Sequence, residues 1–125
     1  MPNHRVKVLL LEDNPADVVL LREILQASRD PAFVLTQVAR LAEGLACLAT
    51  TDFDIILVDL SLPDAQGLET LARLRAVSPY VPMVVLTGVD DRTMALQAVR
   101  DGAQDFLVKG HADEYQIIHA LLYAI

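Results

Sequence analysis

The sequence predicts an α/β fold: a parallel sheet of five strands with helices on both faces. Three observations lead there. Short apolar runs recur along the 125 residues, and each is followed by a stretch whose apolar residues return at helical spacing. The runs are rich in Val, Ile and Leu and most lack polar alternation, as strands covered on both sides do. The strand–helix alternation, joined by right-handed crossovers, then sets the strands parallel between two helical layers.

Val6 to Leu11 is apolar except for Lys7 and reads as the first strand. Glu12-Asp13-Asn14-Pro15 ends it. Asn14 is a good N-cap and Pro15 a good first helical residue, and Val18, Leu21 and Leu25 follow at helical spacing. Asp30-Pro31 closes that helix. Phe33 to Val38 alternates in part, which suits a strand nearer the sheet edge. Leu41 to Ala49 forms a short second helix, ended by Thr50, Thr51 and Asp52. Asp54 to Asp59 is the third strand; Leu68, Leu71, Ala72 and Leu74 mark the third helix, which Ser78-Pro79-Tyr80-Val81-Pro82 breaks. Met83 to Thr87 is the fourth strand. Asp90 and Asp91 open a fourth helix, with Ala95, Ala98, Val99 and Gly102 on its buried face and Asp101-Gly102 as its stop. Met94 and Leu96 lie off that face and offer a patch to a partner. Asp105 to Val108 is the fifth strand. The last helix carries Ile118, Leu121, Leu122 and Ile125. Its apolar pattern still runs at Ile125 with no Gly, Lys or Pro to stop it. The expectation is a ragged end, or a longer polypeptide of which residues 1–125 form one N-terminal domain.

Composition narrows the function classes. Hydrophobic residues make up 54%, enough for one real core and too many for a disordered chain. Charged residues interrupt every apolar run, so no membrane span is expected. Met1-Pro2-Asn3-His4-Arg5 leads straight into a strand without the features of a signal peptide, and a cytoplasmic location is the default expectation. Cys47 is the single cysteine, which excludes an internal disulfide; its apolar neighbours suit a buried structural thiol. A net charge of −7 argues against nucleic acid as a direct partner. His4, His111 and His119 lack ligand spacing and read as surface or helix-end residues, none of them a phosphohistidine.

Chemistry gathers at the carboxyl ends of the strands, where ligands bind in open α/β sheets. Glu12 and Asp13 follow the first strand, Asp59 ends the third, Thr87 and Gly88 end the fourth, and Lys109 and Gly110 follow the fifth. Each has an ordinary reading by itself: Asp59 as a turn former before Pro63, Asn14 as a cap, Lys109 as a solvated amine. Together they put three carboxylates, a hydroxyl and an ammonium on one rim. Three close carboxylates call for a cation. Oxygen ligands without His or Cys favour Mg2+ or Mn2+ over zinc. A lysine and a threonine hydroxyl beside such an ion suit a phosphoryl group, and an aspartate there can act as its nucleophile.

On Glu12-Asp13, Asp59-Leu60-Ser61-Leu62-Pro63-Asp64-Ala65-Gln66-Gly67, Leu86-Thr87-Gly88 and Gly102-Ala103-Gln104-Asp105-Phe106-Leu107-Val108-Lys109, the chain resembles the receiver domain of bacterial two-component response regulators. The resemblance covers the whole chain. It implies a flavodoxin-like three-layer sandwich with strand order 2-1-3-4-5. It implies that Asp59 accepts a phosphoryl group from a phosphohistidine of a sensor histidine kinase or histidine phosphotransfer protein. Glu12, Asp13, Asp59 and the backbone carbonyl of Ser61 would bind Mg2+, and Lys109 would contact the phosphoryl oxygens. Thr87 and Phe106 would form a switch that alters the face made by the fourth helix, fifth strand and fifth helix, where an output domain or target protein docks. The chain would thus catalyse its own phosphorylation and dephosphorylation rather than turn over a separate substrate.

Two departures from the family stand out. Phe106 takes a place where many relatives carry Tyr, and it also reads as plain core. Gly110 follows Lys109 where the family usually has proline, so a looser loop is expected there. Two other functions use a similar set of residues. A magnesium-dependent phosphohydrolase with an aspartate nucleophile needs a second aspartate two positions on, where this chain has Ser61. A degenerate receiver would serve only protein contacts, which the complete residue set argues against.

Overall fold

The computed structural model describes residues 5–125; His4 and the residues before it lie outside them. In chain order the elements are β1 (Arg5–Leu11), α1 (Pro15–Ala27), β2 (Ala32–Val38), α2 (Leu41–Thr50), β3 (Ile55–Asp59), β4 (Ser61–Leu62), β5 (Ala65–Gln66), α3 (Leu68–Val77), β6 (Met83–Thr87), a single 3-10 turn (Val89–Asp91), α4 (Arg92–Arg100), β7 (Asp105–Val108) and α5 (Glu114–Ala124). The described residues form a five-stranded sheet in the order β2-β1-β3-β6-β7, parallel throughout. Counting sheet strands alone, this is the expected order 2-1-3-4-5. The short β4 and β5 pair antiparallel as a separate hairpin. Pro63 and Asp64 form its turn.

Why the strands lack alternation is visible in the packing. Successive side chains of a strand point to opposite faces. Leu9 and Leu11 of β1, Ile56 and Val58 of β3 and Val85 of β6 share one core with Leu41, Leu71, Leu74 and Ala98 from α2, α3 and α4. Val8, Leu10, Ile55, Leu57, Val84 and Leu86 point the other way, onto Leu21 and Leu25 of α1 and Ile117 and Leu121 of α5. Both faces are covered, so both sets must be apolar.

Helix starts follow local chemistry. The Asn14 side chain accepts hydrogen bonds from the N–H groups of Ala16 and Asp17 at 3.0 and 3.1 Å, with Pro15 in the first turn. Asp113 and Gln116 close a capping box at α5. The start of α2 is capped from a distance: Asp64 accepts from the N–H groups of Leu41 and Ala42 at 2.7 and 3.0 Å. Those two bonds hold its carboxyl below the usual carboxylate range. The sequence reads Asp64 only as a turn residue, because its partners are distant in the chain.

Several expectations are corrected. Asp90 and Asp91 lie in a 3-10 turn, and α4 begins one residue later, at Arg92. Ala95 and Ala98 are buried, but Val99 is half turned to solvent and Gly102 lies past the helix end. Met94 packs against the core, while Leu96 is exposed as expected. On α5 the buried residues are Ile117, Ala120 and Leu121; Ile118 and Leu122 are half-buried, and Ile125 is exposed beyond the helix. The buried face of α5 thus lies one residue before the expected one. Cys47 is half-buried against the core rather than enclosed. His111 is exposed; His119 sits mid-helix, its ring stacked on Tyr123 at 3.9 Å between centroids.

Candidate functional site

The sheet brings the expected side chains to one rim. Glu12 continues β1: its N–H donates to the Val38 carbonyl, and its own carbonyl accepts from Gln37 Nε2, both at 3.0 Å. Those bonds turn its side chain inward, where it is fully buried. Asp13, next along the turn, is exposed. Asp59 ends β3 and is 6% exposed, and Thr87 ends β6 at 2%. The Lys109 N–H donates to the Thr87 carbonyl at 2.8 Å, which ties the end of β7 to the end of β6. The Lys109–Gly110 peptide is trans, and Gly110 has φ +80°, in the left-handed region that proline cannot reach. Glycine here lets the chain turn out of the sheet directly behind the lysine.

The Lys109 ammonium lies among three carboxylates. Its Nζ is 2.6 Å from Asp59 Oδ2, 2.5 Å from Glu12 Oε1 and 3.0 Å from Asp17 Oδ2. Both inner contacts are charge-assisted hydrogen bonds of the ammonium. Burial pushes the Glu12 carboxyl up to about 7, with neighbouring Asp59 adding to the rise and Lys109 opposing it. Burial pulls the Lys109 ammonium down, but Asp59, Glu12 and Asp17 outweigh it and hold it above its ordinary value. The other oxygen of Asp59 accepts from the Ser61 N–H at 2.8 Å.

One oxygen from each of Glu12, Asp13 and Asp59 lies within 4.8 Å of the others. The donor set is oxygen only, and two of its three carboxylates are buried with an ammonium drawn in between them. These residues fit a hard divalent cation. Beside them opens a cleft of about 110 Å3 lined by Asp59, Ser61, Gln66, Thr87, Asp91 and Met94. The Thr87 hydroxyl is buried at its edge without a hydrogen-bond partner, which is unusual for a buried polar group unless it is kept for one that arrives.

Some residues at the site carry no sequence signal of their own. Asp17 looks like a favourable acid in the first turn of α1, yet it pairs with a lysine far along the chain. Gln66, Asp91 and Met94 reach the cleft from the hairpin, the 3-10 turn and the first turn of α4. Phe106, expected as a switch, is half-buried, packs against the core and lines the groove between α4 and α5. Ser61 is exposed in β4.

Fold and site together define a signalling receiver, and comparison with known proteins agrees. The family model described as response regulator receiver domain matches residues 8–121. The chain belongs to that family. It is 38% identical over 114 residues to the photosynthetic apparatus regulatory protein RegA of Cereibacter sphaeroides, covering 91% of this chain and 60% of that protein. It is 34% identical over 122 residues to the transcriptional regulatory protein BasR of Escherichia coli, covering 96% of this chain and 52% of BasR. The chain thus spans about half the length of these curated relatives. Among solved structures it resembles the receiver domain of the sensor histidine kinase PA1611 from Pseudomonas aeruginosa, which holds a magnesium ion in its active-site cleft. The identity is 27% with a TM-score of 0.81, over 95% of this chain and 96% of that one. It also resembles an adenylate cyclase chain from Rhodopirellula baltica, 30% identical with a TM-score of 0.82, over 98% and 87%. Among the described residues no helix is long and apolar enough to cross a membrane.

Proposed function

We infer that Asp59 is the phosphoacceptor of this receiver domain, taking the phosphoryl group from a phosphohistidine of a sensor histidine kinase or phosphotransfer protein. One observation carries the reading. A nearly buried carboxylate shares its rim with a paired lysine, two further carboxylates and an unpartnered threonine hydroxyl. Glu12, Asp13 and Asp59, joined by the Ser61 carbonyl, would hold Mg2+, with Mn2+ as a substitute. When bound, that ion neutralises charge on the transferring phosphoryl oxygens. The residues supply the remainder. An Asp59 carboxylate oxygen attacks phosphorus in line, and the bond from phosphorus to the histidine nitrogen breaks, leaving the electron pair on nitrogen. Lys109 moves its ammonium from the carboxylates to the phosphoryl oxygens. Thr87 donates its free hydroxyl to the same group. Water later cleaves the acyl phosphate in the same cleft, so the domain catalyses both its charging and its discharge.

Thr87 and Phe106 couple the site to the groove on α4, β7 and α5. A phosphoryl group that draws the Thr87 side chain toward it leaves space for the Phe106 ring to turn inward. That face is the docking surface for an output domain or target protein. Residues 1–125 are read as one receiver domain of a cytoplasmic signalling system, stand-alone or joined to an output domain. BasR is described as a transcriptional regulatory protein, so nucleic-acid binding stays open to the whole protein. The net charge of −7 on this chain favours protein partners.

The test is incubation with Mg2+ and a small acyl or amido phosphate, followed by intact-mass measurement. A stoichiometric phosphoryl adduct that disappears in Asp59→Asn supports the reading. Multiple turnover of phosphomonoesters would make the chain a hydrolase, and no adduct from any donor would make it a contact module.

A further inference from the structure

We propose that Asp17 is a positioning residue for Lys109: it keeps the ammonium at the site when a divalent cation takes Glu12 and Asp59. The inference rests on the metal reading above and extends it to a residue outside the ligand set. It starts from a conflict in the geometry. Lys109 Nζ lies 2.5 Å from Glu12 Oε1 and 2.6 Å from Asp59 Oδ2, and both residues belong to the trio whose oxygens converge. An ammonium seated there occupies carboxylates a divalent cation needs, and the two cations repel each other. Metal entry must therefore displace the lysine.

The third contact shows where it goes. Asp17 Oδ2 is 3.0 Å from the same Nζ, yet Asp17 stands outside the converging trio. Its side chain is 30% exposed, against 0% for Glu12 and 9% for Asp59, so it marks the outer side of the ammonium. The capped start of α1 fixes it there, since Asn14 binds the Asp17 N–H directly. A cavity of about 40 Å3, bordered by Asp17, Lys109, Leu21, Leu107, Gly110 and Ala112, lies alongside. That is room for about one small group, and its largely apolar wall suits the lysine's methylene stem, which can shift there while the ammonium stays on Asp17. An ammonium retained by Asp17 is still in place when phosphoryl oxygens arrive. One released into water is not.

Mg2+ titration by calorimetry on the native protein, Asp17→Asn, Lys109→Met and the double variant tests this. Asp17→Asn is expected to weaken Mg2+ binding roughly fivefold, because the lysine then stays on the inner carboxylates. In the Lys109→Met background the same change should matter less than about twofold. Asp17→Glu should restore most of the affinity. Equal weakening in both backgrounds would mean that Asp17 acts only as a distant negative charge, and no weakening in either would mean that it does not act on the site; both overturn the proposal. A native protein that binds no Mg2+ would instead overturn the metal reading itself, and this inference with it.

Discussion

Replacing Lys109 with methionine tests the site most directly. Methionine keeps a flexible apolar stem and removes only the charge. Without metal, Glu12 and Asp59 lose their counter-ion while remaining buried. Breaking a buried pair from one side costs about 3–5 kcal/mol. Here the lysine side chain is 24% exposed, and Glu12 can keep its proton near neutrality. We therefore expect about 2–3 kcal/mol. That lies within the roughly 5–15 kcal/mol stability of a typical domain, so the variant still folds. With metal the balance changes, because the competitor for the carboxylates is gone. Mg2+ stabilises both proteins, so the gap narrows only by the ratio of their affinities; a variant that binds Mg2+ about thirtyfold more tightly than the native protein, which must first give up its lysine contacts, recovers about 2 kcal/mol of it. The assay is urea unfolding slightly above neutral pH, with chelator and with saturating Mg2+. A gap between the two proteins that closes to less than about 1 kcal/mol in Mg2+ is the expected result. A gap that Mg2+ leaves unchanged would refute the reasoning, since lysine and metal would then not share the carboxylates.

Other outcomes follow from the same geometry. Asp59→Asn should abolish the phosphoryl adduct while leaving the fold intact by circular dichroism. Thr87→Val removes a buried hydroxyl that has no partner; it should be neutral or stabilising by up to about 1 kcal/mol, yet slow phosphorylation by acetyl phosphate, as read by intact mass. The Glu12 carboxyl, raised to about 7, gives a signed pH dependence. The folded metal-free protein holds a proton that the unfolded chain releases near 4.5. That stabilisation is complete below the lower value and is lost as pH rises through the upper one. Mg2+ needs the ionised form, so its affinity should fall below about pH 7, approaching tenfold per pH unit. Calorimetry in buffers of different ionisation enthalpy should also detect a released proton.

The elements and their order are legible in the residues. Apolar runs such as Ile55–Val58 can be satisfied only between two helix layers, and parallel strands carry their terminal residues to one rim. Glu12, Asp13, Asp59, Thr87 and Lys109 are legible in this way because each sits at a strand end marked by a change from apolar to polar residues. Helix phase was less legible: in α5 Ile117 and Ile118 are equally apolar and only packing chooses between them, and at the edge of the α4 face packing keeps Ala95 and Ala98 but leaves Val99 toward solvent. The tertiary structure alone decided the long-range partners. Asp64 caps α2 across the hairpin, Met94 turns inward to the cleft, and Asp17 meets Lys109 from the first turn of α1. A carboxylate's partner depends on where two distant segments meet, and local propensity carries no record of that meeting.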